Sequence, residues 1–588
     1  MKILIYNWVQ FDNPHLAGGG VTVYLQNVIE ELLRRDGVEV YFLSSGHRYG
    51  LIDRRPKIRP TPNAMNHPRL KTFTLWNSPV KAPAHDAFYA IDTWRNDKVT
   101  VKLIERFLRQ HGPFDAMHVH NLEGIGAGVL SMPSGAHLKR RFYTVHNYMP
   151  VCPQIELLYD GRKPCVDFSG GHRCVGCLAH ENRMEDLIAM RRVGDYIDFQ
   201  GFAGHPVGGF LFDSLSAGHY MWKALRNLFV DVRHGLRTRF ALWKRRPRPG
   251  PGGRFDWRAT SGTPRLPQHP LHRRERLATA YRLWREENAL ALATRMDGVF
   301  AVSDVAREAM LRFMPPDARI ETLPLPIDVE PNAEERARLE EVQSAHETVT
   351  LSFVGYAIPS KGLPFLLDAL AEIDDPFYRE KVDLVIVASL GGQRARQVVQ
   401  LKPRFRSITL VPHYRRDQLV QLAERIDLNI VPSIWWETFN QVTVELGRLG
   451  VPSLVSSTVG AKMVLPHHDR FVFESGNPAD FRAKLDKLVK HPALRASFHD
   501  RPLAMPAIRE HVDHLMGAYL GRALPAPDRV AGAADGKGAA KTSGAAKKSS
   551  KEKLSSGTGG GAGALVVRKK GAASAKRRNS LPMTTDAT

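Results

Sequence analysis

Two glutamates in the last third of the chain, Glu437 and Glu445, have the residue type and the spacing to hold a sugar nucleotide. If one helix carried both, eight residues at about 1.5 Å each would place the carboxylates about 12 Å apart. That distance spans a hexose, a diphosphate and a ribose, so one carboxylate could accept from sugar hydroxyls and the other from the ribose diol. The alternative interpretation is that two acidic residues near a helix start only stabilise the helix dipole.

The segment around this pair predicts a strand, a turn and a helix. Leu428–Val431 is a short apolar run with β-branched residues, typical of a buried strand, and Pro432 and Ser433 end it. Helical spacing of apolar residues follows until Gly450 and Pro452 stop the helix. The apolar face comprises Phe439, Val442, Val444, Leu446 and Leu449. The helix N-terminus would present unpaired N–H groups and positive potential, which suit a phosphate.

Glu437, seven residues and Glu445, between a strand ending in Pro-Ser and a helix ending in Gly-x-Pro, form a recognisable motif. It resembles the donor site of the GT-B retaining glycosyltransferases of family 4, the class called glycosyl transferases group 1. The resemblance implies that Glu437 contacts the donor sugar and that Glu445 binds the ribose. It also implies that Phe439 and Asn440 bind substrate, with Asn440 standing where the family has glycine.

The segment FVGYAIPSKG resembles a second motif of that family. In the family pattern, FVGR-x4-KG, an arginine and a lysine neutralise the leaving diphosphate. Gly355 and Lys361 match, whereas Tyr356 stands in place of the arginine, and Arg394 or Arg396 could supply the missing cation. A lone lysine is usually a surface residue. Because this one follows the first strand of a βα unit, we expect Lys361 at the site.

A glycine turn lies near the start of the chain. Gly19 and Gly20 separate a predicted strand at residues 2–6 from a predicted helix at about 21–35. Such a turn lets the backbone approach a phosphate closely, although glycine turns are common. In the family, the first glycine loop approaches the donor phosphate and the acceptor, so we expect Gly19 and Gly20 to bind substrate.

Histidines end two further predicted strands, at His118 and His120 and at His146. Ligands in open α/β sheets bind outside the carboxyl ends of strands, so these side chains could face the crevice. The alternative is a histidine satisfied by the local backbone, and for His118 and His120 both interpretations stay open. YTVHN resembles the family segment whose histidine faces the reacting sugars. The resemblance therefore implies a catalytic set of Glu437, His146 and Lys361.

All four cysteines of the chain fall in one short segment, at Cys152, Cys165, Cys174 and Cys177. In a cytosolic protein this clustering favours a metal site over a disulfide framework. Four thiolates suit tetrahedral zinc, and His172 or His180 could substitute for one of them. Reduced free thiols and disulfides are the alternatives. In each case we expect the segment to act as a structural clamp.

Charge is concentrated in two parts of the chain. Residues 223–274 carry 14 Lys/Arg against 2 Asp, and residues 523–588 carry 13 Lys/Arg against 4 Asp/Glu. The net charge of the whole chain is +23. The remainder is close to neutral, so the basicity belongs to appendages rather than to a catalytic body. An amphipathic cationic helix at 221–243 could lie on an anionic membrane surface or pack on its own domain.

No run of eighteen apolar residues indicates a transmembrane helix, and the apolar N-terminal run is too short for a signal peptide. We therefore expect a cytoplasmic protein, or one peripheral on the inner face of the membrane. The predicted fold is α/β with the GT-B architecture, in which two Rossmann-like domains face a cleft. It would include a basic insertion in the N-terminal domain and a disordered C-terminal tail rich in Lys, Ala, Gly and Ser.

The predicted division places an acceptor-side domain at 1–325, with the cysteine loop at 150–178 and the insertion at about 180–275. A nucleotide-sugar-binding domain follows at 326–500, a closing helix at 501–522 and the tail at 523–588. The resemblance implies transfer of a sugar, with retention, from a nucleotide-sugar to a glycan or lipid-linked glycan, as in polysaccharide biosynthesis. No catalytic metal is expected, because no Asp-x-Asp ends a strand. The alternatives are a catalytically inactive scaffold and a basic nucleic-acid-binding protein, although nucleic acid is not the expected partner.

Overall fold

The computed structural model describes residues 1–12, 19–83, 91–178, 184–197, 270–327, 329–412 and 418–522, with a few isolated residues between 207 and 222. Most of the predicted basic insertion lies outside these residues, as do Asp328 and the whole predicted tail. The amphipathic helix expected at 221–243 also falls almost wholly outside them. The described residues belong to a single unit, Met1–Gly532.

An eight-stranded sheet organises the first lobe, which is the part of the chain before residue 328. Its strands are β1 Lys2–Tyr6, β2 Glu39–Ser45, β3 Lys57–Pro60, β4 Leu70–Trp76, β5 Phe114–Val119, β6 Leu138–Val145, β9 Gly298–Ala301 and β10 Glu321–Thr322. They lie in the order β10-β9-β6-β5-β1-β2-β4-β3, and each pair is parallel except β3 with β4. The apolar run of β1, buried at four of its five residues, fits a sheet covered on both faces by helices.

The described helices of the first lobe connect these strands. They are Gly19–Leu33, Ile91–Asn96, Lys98–His111, His172–Cys177, Met184–Ile197, Pro270–Arg295 and Asp304–Leu311. Side-chain caps explain where two of them begin: Asp97 accepts from the backbone of Val99 and Thr100, and Ser303 accepts from Ala306 N. The cysteine-bearing segment adds a short antiparallel pair, β7 Leu158–Tyr159 and β8 Lys163–Pro164.

A six-stranded sheet organises the second lobe. Its strands are β11 Val349–Val354, β12 Val382–Val387, β13 Ser407–Val411, β14 Leu428–Val431, β15 Ser453–Ser456 and β16 Val472–Phe473. All are parallel, in the order β13-β12-β11-β14-β15-β16. The described helices of this lobe are Ala333–Ser344, Leu363–Ala371, Pro376–Lys381, Gly392–Gln400, Leu419–Ala423, Gln441–Arg448, His468–Phe471, Pro478–Lys490 and Pro492–Ala496. The expected GT-B architecture is thereby confirmed, with two Rossmann-like domains facing a cleft.

The last described helix, Ile508–Leu520, follows the second lobe in sequence but packs against the first. Its His511 Nε2 lies 2.9 Å from the Tyr24 hydroxyl, and the Tyr519 hydroxyl lies 2.6 Å from His118 Nδ1. Arg140 also donates to the Tyr519 carbonyl at 3.0 Å. This closing helix therefore joins the end of the described chain to the β5–β6 region. None of the described helices is both long and apolar enough to cross a membrane.

Candidate active site

A cavity of about 800 Å³ lies in the cleft between the two lobes. This volume suits a ligand of the size of a sugar nucleotide. Nine residues expected from the sequence to contact substrate or take part in chemistry line it together: Gly19, Gly20, His146, Gly355, Lys361, Glu437, Phe439, Asn440 and Glu445. His146, Gly355 and Lys361 lie at or just beyond the carboxyl ends of strands, where ligands of parallel sheets bind, and Glu445 lies on the helix that follows β14.

Lys361 and Glu437 form an ion pair inside this cavity. The Lys361 ammonium donates to Glu437 Oε1, and the Glu437 side chain is only 3% exposed. Ser433 Oγ donates to the second carboxylate oxygen, and Asn440 Nδ2 donates to Oε1 at 2.8 Å. Lys361 also lies 5.7 Å from the centre of the Trp435 ring. Of the described residues that line the cavity, Lys361 is the only lysine or arginine.

Asn440 shapes the turn between the two glutamates. Its backbone is left-handed, with φ 82°, a conformation that asparagine tolerates better than most residues after glycine. Its Oδ1 accepts from Thr443 N at 3.0 Å and so caps the helix Gln441–Arg448. The glycine-to-asparagine departure from the family pattern therefore preserves the turn and adds a cap, while the amide nitrogen holds Glu437.

The two glutamates do not lie on one helix, so the assumption behind the expected separation of about 12 Å is wrong. The helix begins at Gln441 because the left-handed backbone of Asn440 interrupts any helix before it. Glu437 belongs instead to an extended turn, in which it bridges to Val459, and its carbonyl accepts from Gly460 N at 2.9 Å. Phe439, expected on the helix, packs in the core at 3% exposure. Glu445 lies in the second turn of the helix, 8% exposed and lining the cavity.

The glycine turn of the first lobe contacts the helix Gln441–Arg448 of the second. Gln441 Nε2 donates to the carbonyl oxygen of Gly20 at 3.0 Å. A Cβ atom on Gly20 would overlap the Gln441 side chain, and a Cβ on Gly19 would lie 3.9 Å from the Tyr356 hydroxyl. The helix that follows begins at Gly19, two residues before the predicted start.

The two arginines considered as replacements for the missing family cation do not line the cavity. Both belong to the helix Gly392–Gln400, and Arg394 donates to Gln397 on that helix at 2.6 Å. Tyr356, which occupies the family's arginine position, lines the cavity and is 65% exposed. Among the described lining residues, positive potential therefore comes from Lys361 and from the N-terminus of the helix Gln441–Arg448.

His146 lies at the end of β6, where it faces the cavity on one side and a buried cluster on the other. Its Nε2 lies 2.9 Å from His120 Nδ1, and its carbonyl accepts from Thr438 Oγ1 at 3.0 Å. Burial lowers the pKa of His146 to about 3, so the ring is neutral at ordinary pH. A neutral imidazole can orient a hydroxyl group but adds no charge to the cavity.

His118 and His120 lie behind His146 and do not line the cavity. His118 is fully buried, with its two ring nitrogens within hydrogen-bonding distance of Tyr519 and Thr144. Burial lowers the pKa of both histidines well below the ordinary value, and the neighbouring histidines add to this effect. For these two residues the geometry therefore favours the packing interpretation over contact with a ligand.

Several contacts that cross the cleft were not anticipated from the sequence. Thr438 donates to His146, Ser303 Oγ donates to the Thr438 carbonyl at 2.6 Å, and the Tyr148 hydroxyl donates to the Trp436 carbonyl at 2.7 Å. Their partners are 135 to 292 residues apart in sequence. The one signal in the sequence for these contacts was that Trp436 and Thr438 are the direct neighbours of Glu437.

The four cysteines converge on one small cavity of about 10 Å³, together with Arg285. All four are free thiols, and no group of three or more His, Cys, Asp or Glu side chains in the described ranges is arranged to hold a metal ion. The zinc site expected from the spacing is therefore not formed by this side-chain geometry. The buried Arg285 guanidinium explains part of this, because it already places a cation beside the thiols and donates to Cys174 Sγ at 3.4 Å.

The cysteine segment is nevertheless packed as a structural unit. Arg285 lies over the Phe168 ring at 4.7 Å and the Phe313 ring at 5.6 Å, which compensates part of its buried charge. Burial raises the pKa of Cys165 and of Cys177 to about 11, so both thiols stay protonated and weakly nucleophilic. His172, considered as a substitute ligand, lies near Glu275 instead, and His180 falls outside the described residues.

Comparison with known proteins adds a family match confined to the second lobe. Residues 348–491 match the family described as "Glycosyl transferases group 1". The match covers β11 to β16 and therefore contains Lys361, Glu437 and Glu445. No curated protein matches the chain.

Solved structures with similarity to this chain include a sucrose-phosphate synthase from Thermosynechococcus elongatus, at 15% identity, with 88% of this chain and 96% of that one covered and a TM-score of 0.47. An α,α-trehalose-phosphate synthase (UDP-forming) from Burkholderia xenovorans, in complex with glucose-6-phosphate, shows 12% identity, coverages of 88% and 99% and a TM-score of 0.48. The Anabaena protein HepE, in complex with UDP and glucose, shows 12% identity, coverages of 88% and 95% and a TM-score of 0.41. Residues 348–491, within the second lobe, thus carry a glycosyl transferases group 1 domain that includes Lys361, Glu437 and Glu445.

Proposed function

We propose that this protein is a glycosyltransferase that moves a sugar from a nucleoside-diphosphate sugar to an acceptor hydroxyl. The observation that carries the proposal is the grouping of Lys361, Glu437 and Glu445 around one cavity of about 800 Å³ between the lobes. The match of residues 348–491 to the glycosyl transferases group 1 family covers these three residues and supports the same conclusion.

The charges of the cavity suit a leaving diphosphate. Negative charge grows on the diphosphate as the bond to the sugar breaks, so fixed positive potential lowers the barrier. Lys361 and the N–H groups at the start of the helix Gln441–Arg448 supply that potential. Glu437 holds the Lys361 ammonium, and a bound diphosphate would compete with Glu437 for it.

We assign Glu437 and Glu445 to opposite ends of the donor. Glu445, in the second turn of the helix, would accept from the ribose diol, and Glu437 would accept from hydroxyls of the transferred sugar. His146, neutral at ordinary pH, would orient the reacting centre from the first lobe. By resemblance to the retaining enzymes of family 4, the acceptor would attack from the side of the leaving group and the anomeric configuration would be kept.

Divalent metal is not required in this proposal, because Lys361 and the helix N-terminus supply the positive potential that the leaving group needs. Closure of the lobes would exclude water and limit hydrolysis of the donor. The contacts from Thr438, Ser303 and Gln441 across the cleft support a closed form in which the two lobes touch.

For the acceptor we propose a glycan or lipid-linked glycan at the inner face of an anionic membrane. The support is charge, because residues 223–274 and 523–588 carry 27 Lys/Arg against 6 Asp/Glu. Sedimentation with vesicles of anionic or of zwitterionic lipid tests this part alone. Binding to both kinds, or to neither, would contradict the membrane proposal and leave the transferase proposal standing.

The test of the proposed function is nucleotide release. The full chain is incubated with UDP-, GDP-, ADP- and TDP-sugars, with and without EDTA, and release of the nucleoside diphosphate is measured. We expect release from at least one donor, unchanged by EDTA, and an α-configured product from an α-configured donor by proton NMR. Absence of release and of binding across the whole panel would contradict the proposal.

A further inference from the structure

A carboxylate outside the donor cavity reaches across the cleft to the turn that carries Lys361. Glu156, in the cysteine segment of the first lobe, accepts a hydrogen bond from Ser360 Oγ at 2.9 Å. Ser360 is 1% exposed and lies in the 3₁₀ turn Pro359–Lys361 of the second lobe, directly before Lys361. Glu156 does not line the donor cavity, so direct contact with the nucleotide does not explain this placement.

The backbone around Glu156 adopts a conformation that its sequence does not favour. Ile155 and Leu157, on either side of it, have left-handed φ angles of 66° and 50°. That region is unfavourable for residues other than glycine, asparagine and aspartate, and most unfavourable for a β-branched residue such as isoleucine. Strained residues persist only where surrounding structure holds them, and they concentrate at functional sites.

The cysteine segment supplies that support. Ile155 N donates to the Cys152 carbonyl at 2.8 Å, and Cys165 N donates to the Leu157 carbonyl at 2.7 Å. Leu157 and both cysteines are buried in the core of the first lobe. The residues that flank Glu156 are therefore fixed by two of the four cysteines, and the segment acts as a rigid support for one carboxylate.

The electrostatics connect Glu156 to the donor site. Burial raises the pKa of Glu156, while the hydrogen bond from Ser360 and the charge of Lys361 lower it and the charge of Glu437 raises it. Glu156 and Glu437, one from each lobe, thus act on the same ammonium. The Ser360 carbonyl also accepts from Ile434 N at 3.0 Å, so the turn is held from the Glu437 side as well.

We propose that Glu156 is a positioning residue, which fixes the Ser360–Lys361 turn only when the lobes are closed. This proposal rests on the proposed function. It adds a coupling between closure of the lobes and the orientation of Lys361, the one lysine or arginine among the described residues that line the cavity. In the open form Ser360 loses its partner and the Lys361 ammonium is less constrained. Closure restores the contact and aims the ammonium at the leaving diphosphate.

The experiment compares Glu156→Ala, Glu156→Gln and Ser360→Ala with the full-length wild type. Turnover is nucleotide release from the donor that the wild type prefers. We expect Glu156→Ala and Ser360→Ala each to lower kcat about tenfold and to leave the donor KM within about twofold, because the cation is misplaced but the cavity is intact. Glu156→Gln should retain most of the activity, since its amide oxygen can still accept from Ser360.

Two controls separate positioning from folding. Asp160→Asn changes an exposed carboxylate of the same segment and should match the wild type. The double variant Glu156→Ala with Ser360→Ala should be no slower than either single variant, because both remove the same contact. Hydrogen exchange at residues 358–361 should rise in Glu156→Ala while the melting temperature changes little.

The inference is overturned if Glu156→Ala turns over at the wild-type rate, if the two single losses multiply in the double variant, or if Glu156→Gln loses as much as Glu156→Ala. A wild type that releases and binds no nucleotide from any donor would instead contradict the proposed function, and the inference with it. A wild type that is active and variants that are indistinguishable from it would contradict the inference alone.

Discussion

The side-chain amide of Gln441 donates to the carbonyl oxygen of Gly20 across the cleft, at 3.0 Å. The two residues are 421 positions apart, and the contact joins the first residue of the helix Gln441–Arg448 to the glycine turn of the other lobe. The glycine turn of the first lobe is therefore held by the helix that carries Glu445. Under the proposed function, closure of the cleft would also complete the donor site.

Gln441→Ala should weaken the closed form. Loss of one hydrogen bond costs about 1 kcal/mol, which shifts an open–closed equilibrium about fivefold. We expect a larger radius of gyration by small-angle scattering and a raised donor KM. Gln343→Ala is the matched control, because Gln343 donates to Ala423 and Leu449 within the second lobe only. Identical scattering from wild type and Gln441→Ala would contradict this account.

Gly362 should tolerate no side chain. Its φ is 76°, and a Cβ atom there would overlap the Pro432 carbonyl oxygen. We expect Gly362→Ala to destabilise the second lobe by at least about 3 kcal/mol, from the left-handed backbone and the displaced turn. Gly392→Ala, where no atom lies within 4 Å, should melt at or slightly above the wild-type temperature. Equal melting of the two variants would show that the turn after Lys361 is not closely packed.

Lys361→Met should abolish most turnover while the protein stays folded. Removal of the cation takes away stabilisation of the leaving diphosphate and leaves Glu437 without its partner, so kcat should fall by about 10²- to 10³-fold. Lys361→Arg keeps the charge and should be affected less. Lys487→Met, on the exposed face of the helix Pro478–Lys490, serves as the control. Near wild-type kcat in Lys361→Met would place the leaving-group cation elsewhere.

Acid should destabilise the first lobe through its buried histidines. Burial lowers the pKa of His146 and of His511 to about 3, and lowers the pKa of His118 and of His120 well below the ordinary value. Below about pH 6.5 the unfolded chain binds protons that the folded cluster does not. The free energy of unfolding should therefore decrease as the pH is lowered, by up to about 1.4 kcal/mol per pH unit for each histidine.

Denaturant unfolding at intervals between pH 7 and pH 4.5 measures this slope. His511→Gln should reduce the slope by about one proton, whereas His172→Ala, at an exposed position, should leave it unchanged. Unfolding free energy that is flat across this range would show that the cluster protonates in the folded state. Burial is the largest cause of each lowered pKa, and it sets the sign of the slope.

Apolar runs and breakers were sufficient to predict several elements from the sequence. The bounds of β1 and of β14 agree with the predicted ones, because each is a short, largely apolar run. The start of the helix at Gln441 was missed, since an apolar Phe439 fits helical periodicity although the backbone of Asn440 does not.

The site was predictable where a motif carries it and was not where two distant segments meet. Lys361, Glu437 and Glu445 stand in motifs with fixed spacing, so sequence analysis could single them out. Glu156 and Gln441 make their contacts across the cleft with the other lobe, and no local pattern encodes partners 204 or 421 residues away. The cysteine spacing suggested zinc because spacing alone gives no information about the buried Arg285 beside the thiols.

The central claim is that Glu445 and Lys361 bind one nucleotide-sugar in the cleft. A thermal-shift titration against the panel of UDP-, GDP-, ADP- and TDP-sugars tests it most directly. The wild type should be stabilised by at least one nucleotide-sugar, and Glu445→Ala should lose about 10- to 100-fold in donor affinity while melting normally without ligand. A wild type stabilised by no donor, or a Glu445→Ala variant stabilised to the wild-type extent, would contradict the account.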